Sequence, residues 1–382
     1  MDGNAIGPPS GRLCETGSWY HLPMALDPFA RLEAARDLLD AGRPDRAAVT
    51  LAAAFPSALA GESFFLRAEA LRAQGYFSRA EAGYRAALSV LGREERDLIA
   101  GAQLGLARCA RSLGQIPAAR RAMAAARKAA GRAGSELSGT LALEDALVDR
   151  AEGKYPRALK ALAPLLAGCR RDRDWSGVGF ILWATGGARR FSGDLAGAHR
   201  DFKDSLAAFK RAHDREGETY ALFGLGGIAR VRGLFAEARR AYADAGRILG
   251  RGPDIFGRAY AHCGLANVLR QLGLWSEAER HYHISYALYA ELDDRVDLAY
   301  VDWGLGQVHL KRGELPAAER RLRAALAAFA KGREARGEAL SLQSLAQVLH
   351  ARGRTAEAER LFDAAVRRAR GAGLHAHLEI YT

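Results

Sequence analysis

Hydrophobic and small residues recur along the chain with a period close to 40 positions. The most regular marker is a glycine, which returns every 39 or 40 residues after a shorter first interval of 33. The nine marker glycines are Gly42, Gly75, Gly114, Gly153, Gly193, Gly233, Gly273, Gly313 and Gly353. An alanine stands five positions after each marker, a small residue seven positions before it, and a large residue nine positions after it. A repeat of this length indicates stacked structural units rather than one globular core.

This pattern predicts a helical hairpin in every repeat. The glycine would end the first helix, because a residue without Cβ suits a left-handed turn. The small residues would let the two helices approach closely, and the large residue would fill the gap to the next hairpin. One hairpin cannot bury its apolar stripe alone, so about nine of them are expected to stack into an all-α solenoid.

At these residues the chain resembles the tetratricopeptide repeat family over about 27–373. Its repeats are about six residues longer than the 34-residue standard, similar to the lengthened repeats of kinesin light chain and of the sensor modules of bacterial maltose-type activators. The resemblance implies a right-handed α-solenoid whose first helices line a concave groove. The chain departs from the family in two ways: the proline that closes a repeat is mostly missing, and the first repeat is short.

The two ends of the chain differ from the repeats. Residues 1–26 are predicted to be a flexible tail, although they carry an apolar cluster of Trp19, Tyr20, Leu22 and Met24. We expect this tail to cap the first repeat, and a place in the protein's own groove is the alternative. Residues 374–382 are predicted to form a short C-terminal tail, which leaves 27–373 as the solenoid.

An arginine stands three positions before the marker glycine in six consecutive repeats. These residues are Arg72, Arg111, Arg150, Arg190, Arg230 and Arg270. Two interpretations are open. Guanidinium groups in a row suit carboxylates or phosphates, which they bind through two parallel hydrogen bonds. Alternatively, each arginine sits in the last helical turn, where a cation is favourable beside the terminal carbonyl groups.

Aromatic and amide residues occupy the same predicted face as these arginines. They stand 13, 10 or 6 positions before the glycine and are Phe180, Trp183, Tyr220, Phe223, Tyr260, Asn267, Tyr300, Trp303, Gln307 and Gln347. Aromatic side chains beside arginines are typical of the energetically important part of a protein interface. We therefore predict a docking surface over 175–335, whereas the alternative is that the rings are core between adjacent hairpins.

The charge of the chain adds one further hypothesis. The 382 residues carry a formal net charge of +12, and residues 101–200 hold 17 basic against 8 acidic side chains. A basic middle segment could track the phosphates of a nucleic acid, with a steep loss of affinity in salt. No stretch approaches 18 consecutive apolar residues, so no membrane span and a cytoplasmic protein are expected.

No arrangement of residues typical of a catalytic or metal site is present in the sequence. It lacks a GxxxxGK[ST] phosphate loop and the HExxH and GxSxG motifs, and its four cysteines are too far apart for a CxxC site. We expect no enzyme activity and no cofactor. The leading hypothesis is a scaffold or adaptor that binds an acidic, partly apolar peptide or protein segment in its groove. A regulatory sensor of a small ligand or signalling peptide and a nucleic-acid-binding protein are the alternatives, and end-to-end self-association is left open.

Overall fold

The structure, a computed structural model, describes residues 27–131 and 137–372. Within these ranges the chain forms eighteen α-helices that pair in sequence order as hairpins 1 to 9. The first helices of the hairpins are α1 (Pro28–Asp40), α3 (Ser57–Ala73), α5 (Arg96–Ser112), α7 (Ser138–Ala151), α9 (Trp175–Ser192), α11 (Arg215–Val231), α13 (Ile255–Gln271), α15 (Arg295–Lys311) and α17 (Ala335–Ala351). The second helices are α2 (Pro44–Thr50), α4 (Phe77–Val90), α6 (Ile116–Ala130), α8 (Tyr155–Arg171), α10 (Leu195–Ala212), α12 (Phe235–Leu249), α14 (Trp275–Glu291), α16 (Leu315–Gly332) and α18 (Thr355–Gly371). The predicted all-α solenoid of nine hairpins is confirmed, whereas the two predicted tails, 1–26 and 374–382, lie outside the described residues.

The marker glycines stand in the turns between the two helices of each hairpin. All nine adopt the left-handed backbone, with φ between +67° and +94°, which a residue with a Cβ enters only at a cost. In hairpin 6 the amide of Gly233 donates to the carbonyl of Arg230, and the amide of Leu234 donates to that of Ala229. These bonds satisfy the last carbonyls of α11 and reverse the chain.

The large residue nine positions after each glycine fills the gap between hairpins. It is buried in hairpins 1 to 8, but Phe362 in hairpin 9 is 52% exposed because no further hairpin covers it in the described part of the chain. Where this residue is Tyr242 or Tyr282, its ring rests on Gly264 or Gly304 of the next first helix. A Cβ on those glycines would lie 2.1 Å and 2.4 Å from the ring.

The arrangement of helices puts the first helices on the inner side of the solenoid. Each first helix packs against the first helix of the following hairpin, and each second helix packs against its own first helix and the next one. Among the described helices none is both long and apolar enough to cross a membrane.

Candidate partner-binding groove

Five of the predicted aromatic residues form one unbroken series of ring contacts across hairpins 5, 6 and 7. The centroids lie 5.6 Å apart for Phe180–Trp183, 6.5 Å for Trp183–Tyr220, 5.6 Å for Tyr220–Phe223 and 4.8 Å for Phe223–Tyr260. Two of these contacts are edge-to-face, with interplanar angles of 84°, an arrangement that aromatic rings favour. We call these five rings the aromatic row.

The aromatic row is partly open and partly buried. Phe180 is 37% exposed, whereas Phe223 is only 5% exposed. Trp183, Tyr220 and Tyr260 are half-buried. The structure therefore uses these rings as packing between hairpins and still leaves part of the aromatic surface exposed.

The remaining predicted residues divide into buried and accessible ones. Trp303 and Gln307 are buried, and both donate hydrogen bonds to the hydroxyl of Ser344 in α17. The indole Nε1 of Trp303 lies 3.0 Å from that hydroxyl oxygen. Asn267 is half-buried and accepts a bond of 2.8 Å from the Tyr282 hydroxyl. The accessible ones are Tyr300, which is half-buried, and Gln347, which is exposed.

The six predicted arginines, here called the arginine column, reach towards neighbouring side chains. Arg150 lies over the ring of Trp183 at 4.8 Å, and Arg270 lies over Trp303 at 5.1 Å. The Nη1 atom of Arg150 is 2.6 Å from the point where a Cβ on Gly187 would stand. That glycine therefore leaves the space which the guanidinium of the preceding hairpin fills.

The arginine column meets carboxylates in its N-terminal part. Nη2 of Arg111 lies 3.3 Å from Oε2 of Glu144, a buried residue of α7. Nη2 of Arg72 lies 2.6 Å from Oε2 of Glu69 on its own helix. Burial alone would lower the pKa of Arg72, but the charge of Glu69, the nearby Tyr84 and the hydrogen bonds to both together raise that pKa.

Burial limits how much of the arginine column faces water. Arg230 is 9% exposed and Arg270 is 5% exposed. Burial, followed by the charge of Arg111, lowers the pKa of Arg150 to about 10. Buried guanidinium groups are costly unless they are paired, so the contacts with rings and carboxylates stabilise the column between helices. Its binding of a partner stays a prediction.

A row of acidic residues, which the sequence reasoning missed, caps the first helices of hairpins 5 to 9. Each carboxylate accepts a hydrogen bond from a backbone amide three residues further on, and the five are Asp174, Asp214, Asp254, Asp294 and Glu334. The hydroxyl of Tyr220 donates to Asp254 at 3.2 Å, and that of Tyr300 donates to Glu334 at 2.9 Å. The signal in the sequence is an acid 19 positions before each marker glycine, followed in four of five cases by a glycine three residues later.

The acidic row and the arginine column lie at opposite ends of the first helices. In hairpins 5 to 7, which carry both, they are 16 residues apart, which is about 24 Å along a helix. Burial raises the pKa of Asp254. Burial and the charge of Asp294 raise the pKa of Asp297 well above its usual value. Across hairpins 5 to 7 the first helices therefore form an acidic edge at their starts, an aromatic face, and a basic edge at their last turns.

Much of the charge in the basic middle segment, 101–200, is paired. Arg120 contacts Asp149 and lies 2.7 Å from Glu152, and Arg127 contacts Asp145. Paired cations present a weaker positive field to a polyanion than free ones do. The count of 17 basic side chains in this segment therefore overstates the charge available to a nucleic acid.

Among residues 27–131 and 137–372, no group of three or more histidine, cysteine or acidic side chains is placed to hold a metal ion. The nearest arrangement is a pair: His262 of α13 stacks on His281 of α14, with 2.8 Å between their Nδ1 atoms. Burial, then the charges of His281 and Arg258, lower the pKa of His262 to about 4. The pair is thus neutral near pH 7 and joins the two helices.

Sequence comparison identifies the repeats of the second half of the chain. Models of the tetratricopeptide repeat match residues 192–254, 257–331 and 297–371. No curated protein sequence matches the chain. The matches and the fold show that the chain resembles the tetratricopeptide repeat superfamily.

Solved structures match this chain at low sequence identity. A Rap protein complexed with competence and sporulation factor superposes with a TM-score of 0.56 and 13% identity, over 85% of this chain and 95% of that one. A signal transduction ATPase with a tetratricopeptide repeat sensor from Pyrococcus horikoshii gives a TM-score of 0.55 and 14% identity, over 93% of this chain and 55% of that one. BtubC from P. vanneervenii is 20% identical with a TM-score of 0.47, over 57% of this chain and 92% of that one.

Proposed function

Because the chain is a solenoid of the tetratricopeptide repeat type, we propose that it is a non-catalytic scaffold that holds a segment of a partner in its concave groove. The repeats and the similar structures support a protein-interaction or sensor scaffold. The observation that carries the finer proposal is the aromatic row, which is pre-ordered by its own ring contacts and remains partly open from Phe180 to Tyr260.

The chemistry of the groove indicates what the segment should contain. Partly exposed rings on a rigid helix face are suited to apolar or aromatic anchors, which supply most of the affinity of a typical interface. The half-buried Arg150 and Arg190 favour acidic groups near the basic edge and would set the register of the segment. We therefore propose a peptide or protein segment with apolar anchors and acidic residues as the occupant.

The proposal is tested by capture from nuclease-treated host lysate with Phe180→Ala and a matched control, Phe362→Ala. Both changes remove one partly exposed phenylalanine, at 37% and 52% exposure, but only Phe180 lies in the groove. We expect mass spectrometry to recover one protein with the wild type and Phe362→Ala, and to lose it with Phe180→Ala. Equal recovery with both variants would contradict a groove-bound partner.

The two alternative functions, a sensor and a nucleic-acid-binding protein, predict different outcomes. A small ligand or signalling peptide that raises the melting temperature of the wild type, with no protein captured, would favour a sensor, since binding to the folded state stabilises it. Nucleic acid retained from untreated lysate and released by moderate salt would favour phosphate binding.

A further inference from the structure

Hairpin 2 touches hairpin 7 although the two are far apart in sequence. The hydroxyl of Tyr76 donates a hydrogen bond of 3.1 Å to Glu291, a residue 215 positions further on. Beside it the ring of Phe77 meets the ring of Phe256 edge-to-face, with 5.6 Å between centroids. The turn of hairpin 2 thus lies on the start of α13 and the end of α14.

The turn of hairpin 2 fits this contact because its glycine leaves no side chain in the way. A Cβ on Gly75 would stand 2.6 Å from Cβ of Phe256. At the equivalent turn positions Gly114, Gly233 and Gly273 a Cβ would meet nothing within 4 Å. The close approach at Gly75 is therefore specific to this hairpin and is not a general property of the repeat.

The chemistry of the contact is apolar at its centre and polar at its rim. Tyr76 packs against the core cluster that contains Ile255 and Leu292, and the guanidinium of Arg79 lies 4.9 Å from its ring centroid. One aromatic pair and one hydrogen bond to a carboxylate are a small interface, so the contact is expected to open more easily than the hairpins themselves.

We propose that this contact, formed by Gly75, Tyr76 and Phe77 on one side and by Phe256, Glu291 and Leu292 on the other, is a latch that closes the groove sideways. With the latch shut, hairpins 2 to 7 form a closed ring around the inner face of the first helices. A partner segment then enters only along the axis of the ring or after the latch has opened.

The latch is connected to the aromatic row by direct contacts. The ring of Phe256 lies 6.3 Å from that of Tyr260, which in turn lies 4.8 Å from that of Phe223. An occupant that displaces Tyr260 therefore acts on Phe256 and on the latch. This coupling rests on the proposed function for the identity of the occupant, whereas the closure itself does not.

The closure is tested with Gly75→Asn against Gly114→Asn as the matched control. Both glycines have a left-handed backbone, with φ of +89° and +71°, and asparagine tolerates that conformation better than other side chains. Only at Gly75 does the new Cβ collide with Phe256. We expect Gly75→Asn to increase the radius of gyration in X-ray scattering and to speed amide exchange over 255–260 and 288–292. The latch proposal would be overturned if Gly75→Asn had the same radius of gyration and the same amide exchange rates as the wild type.

Sideways access is tested by labelling Cys263 with a bulky maleimide and mapping the labelled peptide. Cys263 is a half-buried residue of α13 close to Tyr260 of the aromatic row, and the buried Cys109 reports unfolding. We expect several-fold faster labelling of Cys263 in Gly75→Asn than in the wild type or in Gly114→Asn. Equal rates in all three proteins would overturn the proposal that the latch controls entry.

If Gly75→Asn loses its helical circular dichroism signal, a milder pair of variants tests the latch. Tyr76→Ala removes the latch hydroxyl and ring, and Leu234→Ala is the control at the same turn position of hairpin 6, where the side chain is 40% exposed. Only Tyr76→Ala should open the ring by the same readouts. These readouts do not depend on partner capture. The latch can therefore be confirmed even if Phe180→Ala captures the same proteins as the wild type, which would contradict only the proposed function.

Discussion

At the scale of single residues, the packing between hairpins depends on a large ring facing a glycine. Tyr242 rests on Gly264, and Tyr282 rests on Gly304. In hairpin 8 the residue at the ring position is the smaller Leu322, and the residue that faces it by register is Ser344 rather than glycine. Across neighbouring hairpins, a larger residue at the ring position thus faces glycine on the next first helix, and a smaller one faces a residue with a side chain.

We expect Gly264→Ala to destabilise the protein by about 1–3 kcal/mol, the usual cost of overfilling a packed core. The new Cβ would stand 2.1 Å from Cε1 of Tyr242. Gly246→Ala is the control, because its Cβ would meet only Ala261, at 3.9 Å, and alanine favours a helix by about 0.5–1 kcal/mol over glycine. Urea unfolding midpoints measure both. A Gly264→Ala variant as stable as Gly246→Ala would contradict this account of the ring-on-glycine contact.

A second prediction at this scale concerns residues other than glycine that adopt the left-handed backbone conformation between hairpins. Arg333 has φ of +55° and is exposed, so Arg333→Gly should stabilise the protein by about 1 kcal/mol. Arg232→Gly is the control, because Arg232 ends α11 at φ of −84° and glycine there only adds flexibility to the unfolded chain. The melting temperature should rise for the first variant and fall for the second. A fall for both would show that the Arg333 backbone carries no strain.

At the scale of helices, the stacked pair His262 and His281 makes the joint between α13 and α14 sensitive to acid. Burial comes first among the causes that lower both pKa values, that of His262 to about 4. An unfolded histidine binds its proton near pH 6.5, so unfolding takes up protons between about pH 6.5 and about pH 4 and stability falls as the pH drops through that window. Because both rings are partly exposed, we expect a loss of about 1–2 kcal/mol.

The measurement is urea unfolding at about pH 7 and about pH 5, with His262→Gln as the variant. Removing His262 should reduce the loss of stability on acidification by at least half, since its pKa is lowered to about 4 both by burial and by the charge of His281. An unchanged difference between the two pH values in His262→Gln would place the acid sensitivity elsewhere in the chain.

The sequence predicted the hairpins well because each is specified locally. A glycine, two small residues and one large residue within about 20 positions suffice to define a turn, a close helix pair and a contact with the next hairpin. The contacts that the arginine column makes were harder to predict. Arg150 packs on Trp183 of the following hairpin, and a residue's own helix does not reveal that neighbour. The acidic row could have been found, because its period of 40 residues is as regular as that of the glycines.

At the scale of the whole molecule, one contact joins two hairpins that lie far apart in the sequence. The contact between Tyr76 and Glu291 has no counterpart in the repeat pattern. Nothing local specifies it, because the curvature of the stack brings the two residues together. Sequence reasoning from periodicity therefore describes every hairpin and misses how the hairpins close on themselves.

The closed ring has a consequence for folding. In an open repeat array each unit touches only its neighbours, so stability adds up along a line and melting starts at either end. The contact between hairpins 2 and 7 adds one interaction of very high sequence separation, which is slow to form and, while it is shut, links six units into one block. Hairpins 1, 8 and 9 remain outside that block and can fray while it stays intact. The protein thus adds one long-range coupling to the modular energetics of a repeat array.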